Sequence, residues 1–83
     1  MFANNKELFD FINSLSEKLN LIGEEEWSLA FKKSMSISFM PGELLGEVKL
    51  TLKKFQKTRI PRKLNLEKEI NAAIESLDQT LDR

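Results

Sequence analysis

Five residues punctuate this chain: Gly23, Gly42 and Gly46 with Pro41 and Pro61. Glycine and proline are the strongest local interruptions to regular structure. Their scarcity leaves long uninterrupted stretches, and in each the apolar residues recur three and four positions apart. Leu8, Phe11, Ile12, Leu15 and Leu19 make one stripe, and Trp27, Ala30, Phe31, Ser34 and Met35 share a face in the next stretch. Leu44, Leu45, Val48, Leu52 and Phe55 make a third stripe, and Leu66, Ile70, Ala73, Ile74, Leu77 and Leu81 a fourth. That spacing is the mark of helices with one buried side.

Local signals place the helix ends. Asn4 is a candidate N-cap, with Glu7 three residues on completing a variant of the capping box. Gly23 suits the left-handed conformation that often closes a helix. Glu24, Glu25 and Glu26 fall in the first turn of the second helix, where the dipole favours anions. Met40-Pro41-Gly42 breaks the chain, since Pro41 disfavours helix at Met40. Ile60-Pro61 predicts extended backbone at Ile60 for the same reason, and Asn65 is a candidate cap for the last helix. The expected fold is all-α, one small four-helix domain over residues 1–83. Its helices lie at about 4–20, 24–38, 42–57 and 65–82, around Leu8, Phe11, Ile12, Leu15, Leu19, Trp27, Phe31, Val48, Leu52, Phe55, Ile70, Ile74 and Leu77.

One stretch admits a second reading. Met35-Ser36-Ile37-Ser38-Phe39 alternates as a strand does, and Val48-Lys49-Leu50-Thr51-Leu52 could pair with it. This gives an α+β alternative with a hairpin spanning 35–53, from strands at 35–40 and 47–53. The helix accounts for five of the six apolar residues between Leu44 and Phe55, the strand for three. Leu, Lys and Glu favour the helix, whereas Gly46 costs it about 1 kcal/mol. In the helical reading Leu50 is the misplaced residue, standing among lysines on the outer face. Phe9 sits at the flank of the first stripe. Both are candidate contact residues.

The chain has 83 residues and neither Cys nor His. A chain this short buries only about 60% of its unfolded surface, so its stability is marginal. Without Cys there is no disulfide staple and no thiolate, and without His the usual general base at neutral pH is missing. Serine–histidine and cysteine–histidine catalysis are excluded. Gly42 and Gly46 belong to no phosphate-binding loop. Glu24-Glu25-Glu26 makes a poor metal cage, because consecutive carboxylates on a helix point in different directions. No enzymatic activity and no cofactor is expected. The opening residues are not a secretory signal. No apolar run reaches the roughly 20 residues of a membrane span. A cysteine-free chain suits the reducing cytoplasm.

The formal net charge is zero, but it is unevenly distributed. Residues 1–31 carry six acids against two lysines, a net of −4; residues 32–63 carry nine basic residues against two acids, a net of +7; residues 64–83 return to −3. From Val48 to Leu66 there is no acid at all, while Lys49, Lys53, Lys54, Lys57, Arg59, Arg62 and Lys63 supply seven positive charges. Three explanations compete: a solvated surface balanced by the acidic ends, a site for phosphate backbones, or a surface for an acidic protein partner. Membrane adsorption of a basic amphipathic helix ranks below these, because the same helix carries a stripe the core needs.

Several elements of residues 5–55 together resemble one group of small bacterial immunity proteins encoded beside contact-dependent or polymorphic toxins. These are the Leu8, Ile12, Leu15 helix, then Gly23-Glu24-x-x-Trp27, Phe31 and Ser34-Met35, with a turn at Gly42-Glu43 and a helix beginning near Gly46. The resemblance covers about half the chain. It implies a helical inhibitor that binds a cognate toxin domain and blocks its active site or substrate path. That group continues into a Gly-rich turn followed by Ser and Asp. Here Lys53-Lys54-Phe55-Gln56-Lys57 stands instead, so no contact residue beyond Phe55 is carried over. The leading expectation is therefore a non-catalytic, cytoplasmic protein-binding module of the immunity type. Its candidate partner-binding residues are Phe9, Lys49, Leu50, Lys53, Lys54, Lys57, Arg59, Arg62 and Lys63. The alternatives are a small nucleic-acid-binding protein using the basic segment 49–63, or a structural helical homodimer.

Overall fold

Among the described residues the four apolar stripes become four long helices, and a fifth helix of four residues lies between the last two. The computed structural model describes residues 5–36 and 41–81. These form α1 (Asn5–Leu21), α2 (Glu25–Ser36), α3 (Pro41–Gln56), α4 (Ile60–Lys63) and α5 (Glu67–Leu81). The fold is all-α, and the described residues contain no strand. Residues 47–53, the second arm of the alternative hairpin, lie within α3, and Met35 and Ser36 close α2. Residues 37–40, the rest of the first arm, lie outside the described residues, as does Asn4. The helix wins in the middle because it puts the apolar side chains on one side. Leu45, Val48, Leu52 and Phe55 are buried and Leu44 is half-buried.

The turn between α1 and α2 follows the chemistry of glycine. Gly23 takes φ +86°, a left-handed conformation. The Glu24 amide donates to the Leu19 carbonyl at 2.8 Å and the Gly23 amide to Asn20 at 3.2 Å. That pair of bonds is the Schellman closure, which satisfies carbonyls the helix leaves unpaired.

Two local expectations are corrected. Ile60 is not extended but opens α4, and Pro61 occupies one of its first two positions. A proline there gives up an amide hydrogen that has no intrahelical acceptor anyway. Its ring is buried, and the Ile60 amide donates to the Thr58 hydroxyl at 3.3 Å. Asn65 does not cap α5. It ends α4 in a left-handed conformation, φ 59°, with the Leu66 amide donating to the Pro61 carbonyl at 2.8 Å and the Asn65 amide to Arg62 at 3.1 Å. Asparagine is one of the few residues besides glycine that visits this region readily. The first carbonyl of α5 to be used is that of Leu66, which accepts from the Ile70 amide. Gly42-Glu43, which the family resemblance reads as a turn before a helix near Gly46, lies in the first turn of α3, whose start at Pro41 is one residue from the expected 42.

The helices pack in sequence, α1 on α2, α2 on α3 and α3 on α5, while α4 bridges α3 and α5. A single core runs through all four long helices. Of the expected core residues, Leu8, Ile12, Leu15, Leu19, Phe31, Val48, Leu52, Phe55, Ile70, Ile74 and Leu77 are buried, as are Leu45 and Ala73. Phe11 and Trp27 are partly buried against its edge. Trp27, Phe31 and Phe55 form an aromatic trio. Phe31 and Phe55 meet edge to face at 5.3 Å, and Trp27 meets Phe55 at 5.1 Å, the arrangement that ring quadrupoles favour. The α1–α2 packing also includes one polar pair. The buried Ser16 hydroxyl donates to the Ser28 carbonyl at 3.0 Å and lies 3.1 Å from the Ser28 hydroxyl. With its proton so committed, Ser16 accepts from Ser28.

Candidate functional site

The helical period of α3 separates two populations of side chains. With Val48 and Leu52 in the core, the opposite side of the cylinder carries Leu50, Lys53 and Lys54. Lys53 and Lys54 are exposed, and Leu50 keeps 49% of its surface in water. Lys57 follows directly after the helix, and Arg59, Arg62 and Lys63 continue the exposed basic surface into α4. None of Lys53, Lys54, Lys57, Arg59, Arg62 and Lys63 forms an ion pair among the described residues.

Lys49 and Phe9 stand apart from this face. Lys49 lies on the flank of α3 and its ammonium pairs with the Asp78 carboxylate of α5. The hydrogen bond from Lys49 holds the Asp78 carboxyl below its ordinary value of 3.8, helped by the positive charges of Lys49 and Lys53 and opposed by desolvation. Lys49 thus joins two helices. Phe9 is on α1, which packs on α2, and it is partly buried against the core. The structure does not bring it to the basic residues.

At the junction of α3, α4 and α5 the surface sinks into a cleft of about 320 Å³. Arg59 and Arg62 line it, with Thr58 beside them, Pro61 and Ile70 supplying apolar wall and Glu67 entering from the first turn of α5. Gln56 and Asn71 complete the lining, and the Gln56 amide donates to the Asn71 side-chain carbonyl across α3 and α5. The Thr58 hydroxyl is occupied locally, donating to the Phe55 carbonyl at 2.7 Å. The lining residues fall between Gln56 and Asn71 but on three different helices and the turn joining two of them, and they carry no shared period. A pattern search along the chain therefore finds the charges but misses the cleft.

A second depression, about 290 Å³, runs along α1 from Phe11 and Leu15 to Leu66 before α5. A third is lined by Gly23 and the glutamates Glu24, Glu25 and Glu26. Among the described residues no group of three or more acids, cysteines or histidines could hold a metal ion. No described helix is long and apolar enough to cross a membrane.

No family model, curated protein or solved structure matches the chain. What the site can do therefore rests on its own chemistry: cations without ion-pair partners among the described residues, one exposed aliphatic side chain among them, and a cleft with two guanidinium groups.

Proposed function

We propose that this chain is a non-catalytic protein-binding module whose basic face on α3 and α4 meets an acidic surface of another protein. Within that reading the partner is the cognate toxin domain of a bacterial toxin–immunity pair, neutralised in the cytoplasm. The observation that carries the proposal is Leu50 standing half-exposed among Lys53 and Lys54, with Lys57 next in the chain. Cations without internal partners steer an acidic protein into encounter and select it. An aliphatic side chain among them adds a desolvated anchor that a phosphate backbone has no use for. The immunity role is supported by the Leu8, Ile12, Leu15 and Gly23-Glu24-x-x-Trp27 pattern.

The test is co-expression with the toxin domain encoded immediately upstream. The expected result is copurification as a complex that weakens as salt rises and is lost in a Leu50→Asp, Lys54→Glu double variant. A chain whose gene has no toxin neighbour, or which stays free of the neighbour's product at low salt, overturns the immunity role. Binding to an RNA or DNA oligonucleotide, with affinity falling steeply in salt, selects the nucleic-acid alternative. A doubled mass that dissociates on dilution selects the homodimer.

A further inference from the structure

We propose that the Arg59–Arg62 cleft is an anchor pocket for a single carboxylate, the side chain of one Asp or Glu on the partner protein. This deepens the protein-binding reading and rests on it for the identity of the ligand's owner. Arg59 and Arg62 both face the cleft of about 320 Å³ and neither has an ion-pair partner among the described residues. Guanidinium groups offer planar, forked donors that match a carboxylate in two parallel bonds. Part of the lining is tied together where the Gln56 and Asn71 side chains hydrogen-bond between α3 and α5. The buried Pro61 and Ile70 back the cleft with an apolar wall.

Charge narrows the choice of oxyanion. The lining holds two cations and one acid, Glu67, a net of one positive charge. A monoanionic carboxylate balances that charge, whereas a free phosphate or phosphomonoester, carrying about two negative charges, leaves an excess beside Glu67. A nucleic-acid phosphodiester carries a single charge and is separated from the carboxylate by the RNA titration below. Glu67 is the feature that separates a built pocket from a merely basic surface. It weakens any anion held between the arginines, and it has little effect on one bound diffusely along the lysines.

The experiment follows backbone and arginine side-chain NMR signals of the whole protein during titration with a blocked peptide containing one Glu among Gly and Ser. The same peptide with Gln, inorganic phosphate and a short single-stranded RNA serve as the other arms. The expected result is saturable shifts at Arg59, Arg62, Thr58 and Asn71 with the Glu peptide and none with the Gln peptide. Arg59→Ala and Arg62→Ala each weaken binding roughly three- to fivefold, the range of an exposed charge pair. Glu67→Gln tightens it by a similar factor, while Lys53→Ala leaves it unchanged. Shifts spread evenly over Lys53, Lys54 and Lys57, tighter binding of phosphate or RNA than of the Glu peptide, or no saturation even in Glu67→Gln would overturn the pocket. The two proposals fail separately. A toxin complex that forms equally well with Arg59 and Arg62 replaced leaves the protein-binding reading standing and removes the pocket. Specific Glu-peptide binding without any toxin partner keeps the pocket and removes the immunity role.

Discussion

Phe31 has no exposed surface, and its ring stands at 85° to that of Phe55 across the α2–α3 contact. Removing a buried phenyl ring costs about 3–5 kcal/mol. An 83-residue domain has a total stability of about 4–12 kcal/mol. Phe31→Ala is therefore expected to consume a large share of the margin, seen as a lowered urea midpoint and a loss of Trp27 fluorescence shift between folded and unfolded protein. Asp78 acts through charge. Its carboxyl is held below 3.8 mainly by the hydrogen bond from Lys49. A depressed folded value contributes stability above the unfolded value, and that contribution is lost as pH falls through the folded one. Asp78→Asn should therefore melt below the parent at neutral pH. The gap should narrow as pH drops below 3.8 and close once the depressed folded value is passed. A gap that persists undiminished in acid would assign the effect to packing instead.

Two of the three glycines, Gly46 and Gly23, behave oppositely at the scale of the helix. Gly46 lies inside α3, and a Cβ added there meets nothing within 4 Å. Gly46→Ala should stabilise the protein by about 0.5–1 kcal/mol, because alanine loses less backbone freedom on joining a helix. Gly23 also has open space around it, but its φ of +86° is one an L side chain resists. Gly23→Ala should cost about 1–2 kcal/mol through backbone conformation alone. Paired thermal melts of the two variants give both signs in one measurement. The same contrast explains how much of the fold the chain displays in advance. The long helices were legible because their apolar period is strong enough to outvote Gly46 and the alternation around Val48 to Leu52. Ile60 and Asn65 were not. The rule for residues before proline is a modest steric preference, here outweighed by burial of Pro61, and an asparagine beside a helix start reads the same as one that ends the helix before it.

Across the whole molecule, charge and core are carried by the same helix on opposite sides. α3 packs on both α2 and α5 through Val48, Leu52 and Phe55 while presenting Leu50, Lys53 and Lys54 to water. The basic face was legible in the sequence, because a run of 19 residues without an acid needs no tertiary information to notice. Its division was not. Lys49 turned out to be bound to Asp78 of another helix, and Arg59 and Arg62 line a cleft made with Gln56 and Asn71. Both facts depend on how α3 and α5 lie against each other. This separation makes the surface expendable to the fold. Replacing Lys53, Lys54 and Lys57 together by Ala removes three exposed charges that form no ion pair among the described residues. Each such surface change lies within about 0.5 kcal/mol of neutral, and relief of like-charge repulsion offsets any lost packing of the lysine stems. Phe55→Ala, one position from Lys54 on the same helix, should cost about 3–5 kcal/mol. Urea unfolding of the two variants side by side should therefore show a nearly unchanged midpoint for the triple lysine variant and a strongly lowered one for Phe55→Ala. A large destabilisation by the lysine replacements would mean that the basic face is held by the fold for its own stability, and its availability to a partner would lose its basis.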